Sequence, residues 1–261
     1  MTPIQQLMLG VGAKKKTYVD DVFSTFLYNG GTGDKTINNG IDMTEGGIFW
    51  SKQRSDSVYG GIWDTVRGVT KRLRPDSNIA EATASDLVKS FNNNGVTISD
   101  DGGTQIYDSG ETHASWTFRK APGFFTLISW VGNATAGRTI THDLGCVPGM
   151  IIIKNATDAE DWYVYHRGTD ATEPQDYIIR LNTNGARQDW GGAFHDSAPT
   201  SSSFQIGDGG AVNENGKTYI AYLFAGGESG AATARSVVFD GTGDYLSTSS
   251  SSSDFTMGTG D

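Results

Sequence analysis

A chain of 261 residues can hold about two ordinary domains of roughly 100–150 residues each. Its 35 glycines, only 6 prolines and abundance of Ser, Thr, Asn and Asp favour turn-dense β structure over helix bundles or disorder. A formal charge of −10 disfavours general affinity for nucleic acid, and no run of about 18 apolar residues offers a membrane helix, so neither nucleic-acid binding nor membrane insertion is expected.

Residues 1–21 come first, an arm mixing Leu7 and Leu9 with the basic Lys14, Lys15 and Lys16. The lysines follow the apolar stretch instead of leading it, which is the wrong order for a secretion signal. The triplet reads as a solvated tail ahead of a phosphate contact. Strands are predicted at 22–28, 47–53, 58–66, 87–91, 95–99 and 114–120, from short β-branched and aromatic runs set between turn residues. Pro122-Gly123 is a joint with almost no linker. Beyond it, strands are predicted at 124–131, 149–154, 161–166, 176–181, 203–207 and 218–225. Within these, Ile151-Ile152-Ile153 suggests a strand covered on both faces. Gly226-Gly227-Glu228-Ser229-Gly230 reads as a hinge, and residues 229–261 as the start of a third, incomplete unit.

The two sets of strands are copies. Lys154 follows Lys52 by 102 residues, each closing an apolar run, Ile48-Phe49-Trp50-Ser51-Lys52 against Met150-Ile151-Ile152-Ile153-Lys154. Phe26 to Gly30 aligns with Ile128 to Gly132, Thr36-Ile37 with Thr139-Ile140, Gly95 to Ile98 with Ser203 to Ile206, and Ser115 to Phe118 with Ala221 to Phe224. Arg67-Gly68 aligns with Arg167-Gly168, which sets His166 against Val66. The expected organisation is therefore all-β: an arm at 1–21, then two tandem β-sandwich-like domains at 22–122 and 123–228 from an internal duplication. Five Asn-Gly pairs, at 29–30, 39–40, 94–95, 184–185 and 215–216, predict type I′ hairpin turns.

Chemistry-bearing residues are sparse. His113, His142, His166 and His195 lack a serine on a Gly-x-Ser-x-Gly elbow and read as structural or surface groups. Asp20-Asp21, Asp100-Asp101 and Glu160-Asp161 are adjacent in sequence, so on a strand their side chains point to opposite faces, the wrong geometry for a glycosidase pair. Asp208 to Gly216 has oxygen ligands and glycines but not the spacing of a calcium loop, and a hairpin is favoured. Gly30 to Lys35 lacks the Gly-Lys-Ser/Thr of a phosphate loop. Cys146 has no partner for a disulfide and reads as a small buried hydrophobe. No catalytic residue, cofactor site or metal site is assigned. Aromatic rings are the better resource, because sugar faces stack on them. Trp190, in the glycine-rich Gln188-Asp189-Trp190-Gly191-Gly192, is the candidate for glycan stacking, while Trp50 and Trp116 on matched strands are assigned to the core.

The second copy, with Thr139-Ile140-Thr141-His142-Asp143-Leu144-Gly145, Asp161-Trp162-Tyr163-Val164-Tyr165-His166-Arg167 and Tyr219 to Ala225, resembles a domain of virion structural proteins in marine, cyanobacterial-type tailed phages. Gly12 to Thr25 resembles the N-termini of phage tail or fibre proteins. Val238 to Leu246 resembles the first strand of a laminin-G or concanavalin A-like lectin jelly roll. These resemblances imply a virion tail-fibre or tail-associated protein, made in the host cytoplasm and without enzymatic activity. Its N-terminal region would anchor to other virion proteins, such as a tail adaptor or nozzle, and its distal part would meet host surface glycan. They imply a homotrimer, and assembly contacts at Leu7, Leu9, Tyr18, Val19 and Phe23. A glycan depolymerase and a capsid decoration protein are the alternatives.

Overall fold

The computed structural model describes residues 17–100 and 106–227; the expectations for Leu7, Leu9 and residues 229–261 lie outside this range. The chain is all-β. In the first repeat the strands are β1 (Phe23–Asn29), β2 (Asp34–Ile37), β3 (Gly47–Gln53), β4 (Gly61–Asp64), β5 (Lys71–Arg72), β6 (Ala82–Thr83), β7 (Val88–Asn92), β8 (Gly95–Ser99) and β9 (Thr112–Arg119). The second repeat has β10 (Phe125–Val131), β11 (Arg138–Thr141), β12 (Pro148–Asn155), β13 (Trp162–His166), β14 (Tyr177–Arg180), β15 (Gln188–Asp189), β16 (Ser203–Ile206) and β17 (Thr218–Ala225).

The duplication is visible in the strand order. The first repeat has a sheet in the order β1-β9-β3-β4, and the second repeats it as β10-β17-β12-β13, extended by β14 and β15. The pairing of β2 with β8 is likewise repeated by β11 with β16. Register agrees residue by residue. Trp50 faces Trp116 as Ile152 faces Tyr222, and Tyr28 faces His113 as Trp130 faces Tyr219. Both Tyr28/His113 and Trp130/Tyr219 are stacked ring pairs, at 5.1 and 5.6 Å between centroids. In each pair the polar tip donates to a carbonyl just upstream of the last strand, Tyr28 Oη to Ile106 at 2.7 Å and Trp130 Nε1 to Val212 at 3.0 Å.

One pair of glycines is fixed by the same geometry. A Cβ on Gly30 would collide with the Asp108 carbonyl and one on Gly132 with the Glu214 carbonyl, so the chain leaves each edge strand through a gap only glycine fits.

Each repeat is a sandwich because its strands alternate apolar faces. In the first, Tyr28, Phe49 and Trp63 meet Ile37, Val88, Val96 and Ile98. The second core brings Ile151, Ile153, Tyr163 and Tyr219 against Ile140, Phe204 and Ile206. Ile152 points the other way, so Ile151-Ile152-Ile153 is covered on both faces as its composition predicts.

Three sequence expectations need correction. The short runs at β2 and β11 pair with neighbours although Thr36-Ile37-Asn38-Asn39-Gly40 reads as a turn. Of the Asn-Gly pairs, Gly40, Gly95 and Gly216 take positive φ, but no asparagine among the described residues does, so these are not type I′ turns. Register also sets His166 at the place of Asp64, since Ile48 faces Asp64 and Met150 faces His166. Arg67 is buried three residues beyond β4, whereas Arg167 is exposed directly after β13, so the two arginines are not equivalent.

The outer faces of the two large sheets pack on each other. Ile48, Ile62 and Leu73 from the first repeat join Leu127, Ile152, Trp162, Val164, Ile220 and Tyr222 from the second in one buried cluster. The structurally equivalent Phe118 and Phe224 touch edge to face at 5.4 Å. Segment 73–81 drapes over the second sheet. There Trp162 Nε1 donates to the Arg74 and Ser77 carbonyls at 2.9 and 3.0 Å, and Glu81 N to the Ala156 carbonyl at 2.9 Å. Inside this seam sits a charged cluster: Arg67 Nε donates to Asp64 Oδ2 at 2.6 Å, Tyr222 Oη to the same oxygen at 2.8 Å, and Arg67 Nη1 to Glu81 at 3.2 Å. Burial works to lower the Arg67 pKa, but Asp64, by its charge and hydrogen bond, and Glu81, by its hydrogen bond, outweigh it and hold the guanidinium above its ordinary value. Burial raises the Tyr222 phenol well above its own, keeping it a neutral donor.

Removing one member of a buried ion pair leaves the other charge uncompensated. Arg67→Met should therefore lower the unfolding free energy by about 3–5 kcal/mol, and Tyr222→Phe by about 1–3 kcal/mol, in urea titrations followed by fluorescence. Both variants should retain one cooperative transition. Separate unfolding of the two repeats in the wild-type chain would contradict the seam's role.

Candidate functional site

The chain enters the fold along an edge. A single helical turn, Val19–Val22, leads into β1, with Tyr18 63% and Val19 67% exposed. The turn is pinned from both sides: Tyr18 N donates to the Asp21 carboxylate at 2.9 Å and Arg119 Nε to the Asp21 carbonyl at 3.0 Å. Phe23 turns inward and packs on Phe118 at 4.7 Å. The structure thus groups Tyr18 and Val19 on the surface and uses Phe23 as their inward anchor. Strand β1 carries no charged residue and no proline, and its Leu27 is 64% exposed. Among the described residues no strand pairs with its outer side. An uncharged open edge of seven residues is competent to accept another strand.

Trp190 is half-buried. Its stretch is exposed, but the indole packs against Tyr163 at 5.2 Å between ring centroids and covers part of the second core.

The matched lysines have matched partners. Lys52 Nζ donates to the carbonyls of Gln53, Asp56 and Val58 at 2.8, 3.4 and 2.6 Å. Lys154 Nζ donates to those of Asn155, Asp158 and, across the seam, Asn78 at 2.6, 3.3 and 3.3 Å. Each ammonium ties the loop after its strand into a fixed shape. Burial pushes the Lys154 pKa down to about 8, with Glu160, Asp161 and Asp158 acting against it.

Trp50 and Trp116, assigned to the core from sequence, are only half-buried. Their rings meet edge to face at 5.8 Å and line a pocket of about 280 Å³, together with Pro75, Asp76, the Lys52 stem and Leu181 of the second repeat. Sequence reasoning misses this site. The available signal is the repeat itself: the equivalents Ile152 and Tyr222 are buried in the seam, so here the copies differ in burial as well as identity.

A second hollow, about 320 Å³, is lined by Lys120, Ile128, Thr141, His142 and Asp143. Lys120 pairs with Asp143 at 2.7 Å and Thr126 Oγ1 donates to it at 2.7 Å. These bonds hold the Asp143 carboxyl below its usual range against the opposing effect of burial. The loop at Asp208 to Gly216 is structural: buried Asn213 accepts from Asn133 N and Arg138 and donates to the Thr135 carbonyl. Among the described residues, no three His, Cys, Asp or Glu side chains are grouped to hold a metal ion. Cys146 is partly buried against the second core.

Two tandem sandwiches sharing a buried seam, an open N-terminal edge and a small aromatic pocket define the chain physically. Residues 19–244 match the family described as a domain of unknown function, DUF7483, and the chain belongs to that family. The match runs through both repeats, so the duplication lies within the family's own domain. No curated protein and no solved structure matches the chain.

Buried His113 supplies a pH-dependent readout of the first core. Burial is the largest effect and lowers its pKa, while the Asp108 carbonyl and the Asp108 and Glu111 charges act the other way. A lowered folded-state pKa means the unfolded chain binds this proton first, so stability falls as pH drops below about 6.5. The urea midpoint should decline between about pH 7 and 5. His113→Phe should reduce that slope, leaving the same-signed contribution of His142, whose pKa burial also lowers. An unchanged slope would contradict the assignment.

Proposed function

We propose that this protein is a non-enzymatic structural component of a tailed-phage virion, a tail-fibre or tail-associated segment anchored through its N-terminal side. The observation that carries the reading is the seam. Two sandwiches that could have been tethered are instead welded through a buried apolar cluster and an internal ion network, which suits a rigid spacer bearing load between two attachment points. The uncharged β1 edge with Tyr18 and Val19 beside it supports an assembly contact at one end. The sequence resemblance to phage tail proteins supplies the biological setting, and with it the expected trimer and the glycan-facing distal part.

The test is location. Purified particles from the producing phage should contain the chain by mass spectrometry, with density for two fused sandwiches at the tail by electron microscopy. Deletion of residues 1–21 should abolish incorporation while leaving the fold intact by circular dichroism. Absence from particles would sink the proposal, and release of oligosaccharides from host polysaccharide would replace it with a depolymerase.

A further inference from the structure

The Trp50/Trp116 pocket is built differently from the rest of the seam. Elsewhere the outer faces of the two sheets meet and exclude water, and the equivalent pair Ile152 and Tyr222 is almost wholly buried. At Trp50 and Trp116 the cover is incomplete. Trp50 and Trp116, directly opposed on β3 and β9, are left half-open to solvent with Pro75 and Leu181 beside them. Leu181, 39% exposed, comes from the second repeat, so the pocket exists only when the two repeats are joined.

Its polar groups are few. Asp76 stands at the rim with its side chain 43% exposed. Arg74 approaches it at 3.5 Å and stacks its guanidinium over Tyr59, 3.1 Å from the ring centroid. Lys52 contributes only its aliphatic stem, since its ammonium is committed to three carbonyls. Neither indole N–H of Trp50 or Trp116 has a hydrogen-bond partner among the described residues. The pocket thus combines an aromatic lining with one carboxylate, and its two indoles make no hydrogen bond with the described residues.

We infer that this pocket binds a single neutral pyranose unit of a polysaccharide, with the C–H face of the sugar on the Trp116 ring, Trp50 at 63° to it as a side wall, and its hydroxyls shared between Asp76 and the indole N–H groups. Aromatic faces carry the apolar side of a sugar ring, while the ring's hydroxyls need both donors and acceptors, and this site supplies both. Its volume lies just under the roughly 300–1,000 Å³ of drug-sized ligand sites, which suits one ring and excludes a folded peptide segment. Both cations near the rim are committed, Arg74 to Asp76 and Lys52 to its three carbonyls, so no free positive charge selects an acidic sugar. The site is separate from Trp190, whose ring is engaged with Tyr163 in the second repeat. The inference concerns binding chemistry alone and stands whether or not the chain resides in a virion.

The experiment is saturation-transfer NMR of the full chain against a panel of neutral hexoses and their linear oligosaccharides, with the corresponding uronic acids as a second arm. Neutral ligands should show transfer, strongest to the axial face protons. Asp76→Ala, a change at the exposed rim that leaves the core untouched, should weaken binding at least about tenfold. Trp116→Ala should abolish it, with circular dichroism confirming the fold. No transfer to any neutral ligand, transfer only to acidic sugars, or binding unchanged in Asp76→Ala would each overturn the inference. So would loss in Trp190→Ala with retention in Trp116→Ala. Concentration-dependent dimerisation removed by Trp116→Ala would assign the patch to a second copy of the chain instead.

Discussion

The buried meeting of two sheet faces governs this molecule. In a lone antiparallel sandwich one face of each sheet can stay wet, and its strands then alternate apolar with polar. Here the larger sheets are apolar on both sides, so neither repeat could stand in water with its outer face bare. Duplication supplies each with a cover, and the cover is a relative of itself, as the contact between the equivalent Phe118 and Phe224 shows. The charged cluster at Asp64, Arg67 and Tyr222 is by itself weak evidence for net stability, because the desolvation of a buried ion pair can exceed its Coulombic gain even though removing one member is costly.

The copies are alike where the fold demands it and unlike where it does not. The stacked ring pairs, the paired glycines and the lysines that tie their following loops recur at matching positions because each solves a local backbone problem. The outer face is free of that demand. Position 64 is an aspartate inside the seam and its counterpart His166 is exposed; positions 50 and 116 are tryptophans in a pocket and their counterparts are sealed. The relation between the halves is therefore not symmetric in practice. It leaves the cover incomplete at Trp50 and Trp116.

Much of this was legible in the residues. The twelve apolar runs appear as strands because each holds enough β-branched or aromatic side chains to declare itself, and Lys52 with Lys154 betrays the duplication. Strands β2 and β11 were hidden because each is short and mostly polar, with Ile37 and Ile140 as the single buried residue. The asparagines of the Asn-Gly pairs mislead because the dipeptide supports several turns, and here only a following glycine is needed in the left-handed region. The seam and its pocket were out of reach for a different reason. A run such as Ile48-Phe49-Trp50 announces that both faces are apolar but not what covers them, and Asp64-x-x-Arg67 is indistinguishable from a solvated turn until the second repeat lies over it. Trp190 stood out by its glycine neighbours, while Trp50 was concealed among other large side chains.

The lysine ties have a consequence for where such a fold can operate. Many extracellular β modules shape their loops around a calcium ion, whose occupancy follows the surrounding concentration. In this chain the cation at those two turns is covalently attached to the strand it follows. It cannot be diluted away or stripped by a chelator, and it is present from the moment the backbone closes around it. The two loops after β3 and β12 keep their shape across changes in divalent-ion supply, needing only that a proton remain on each amine.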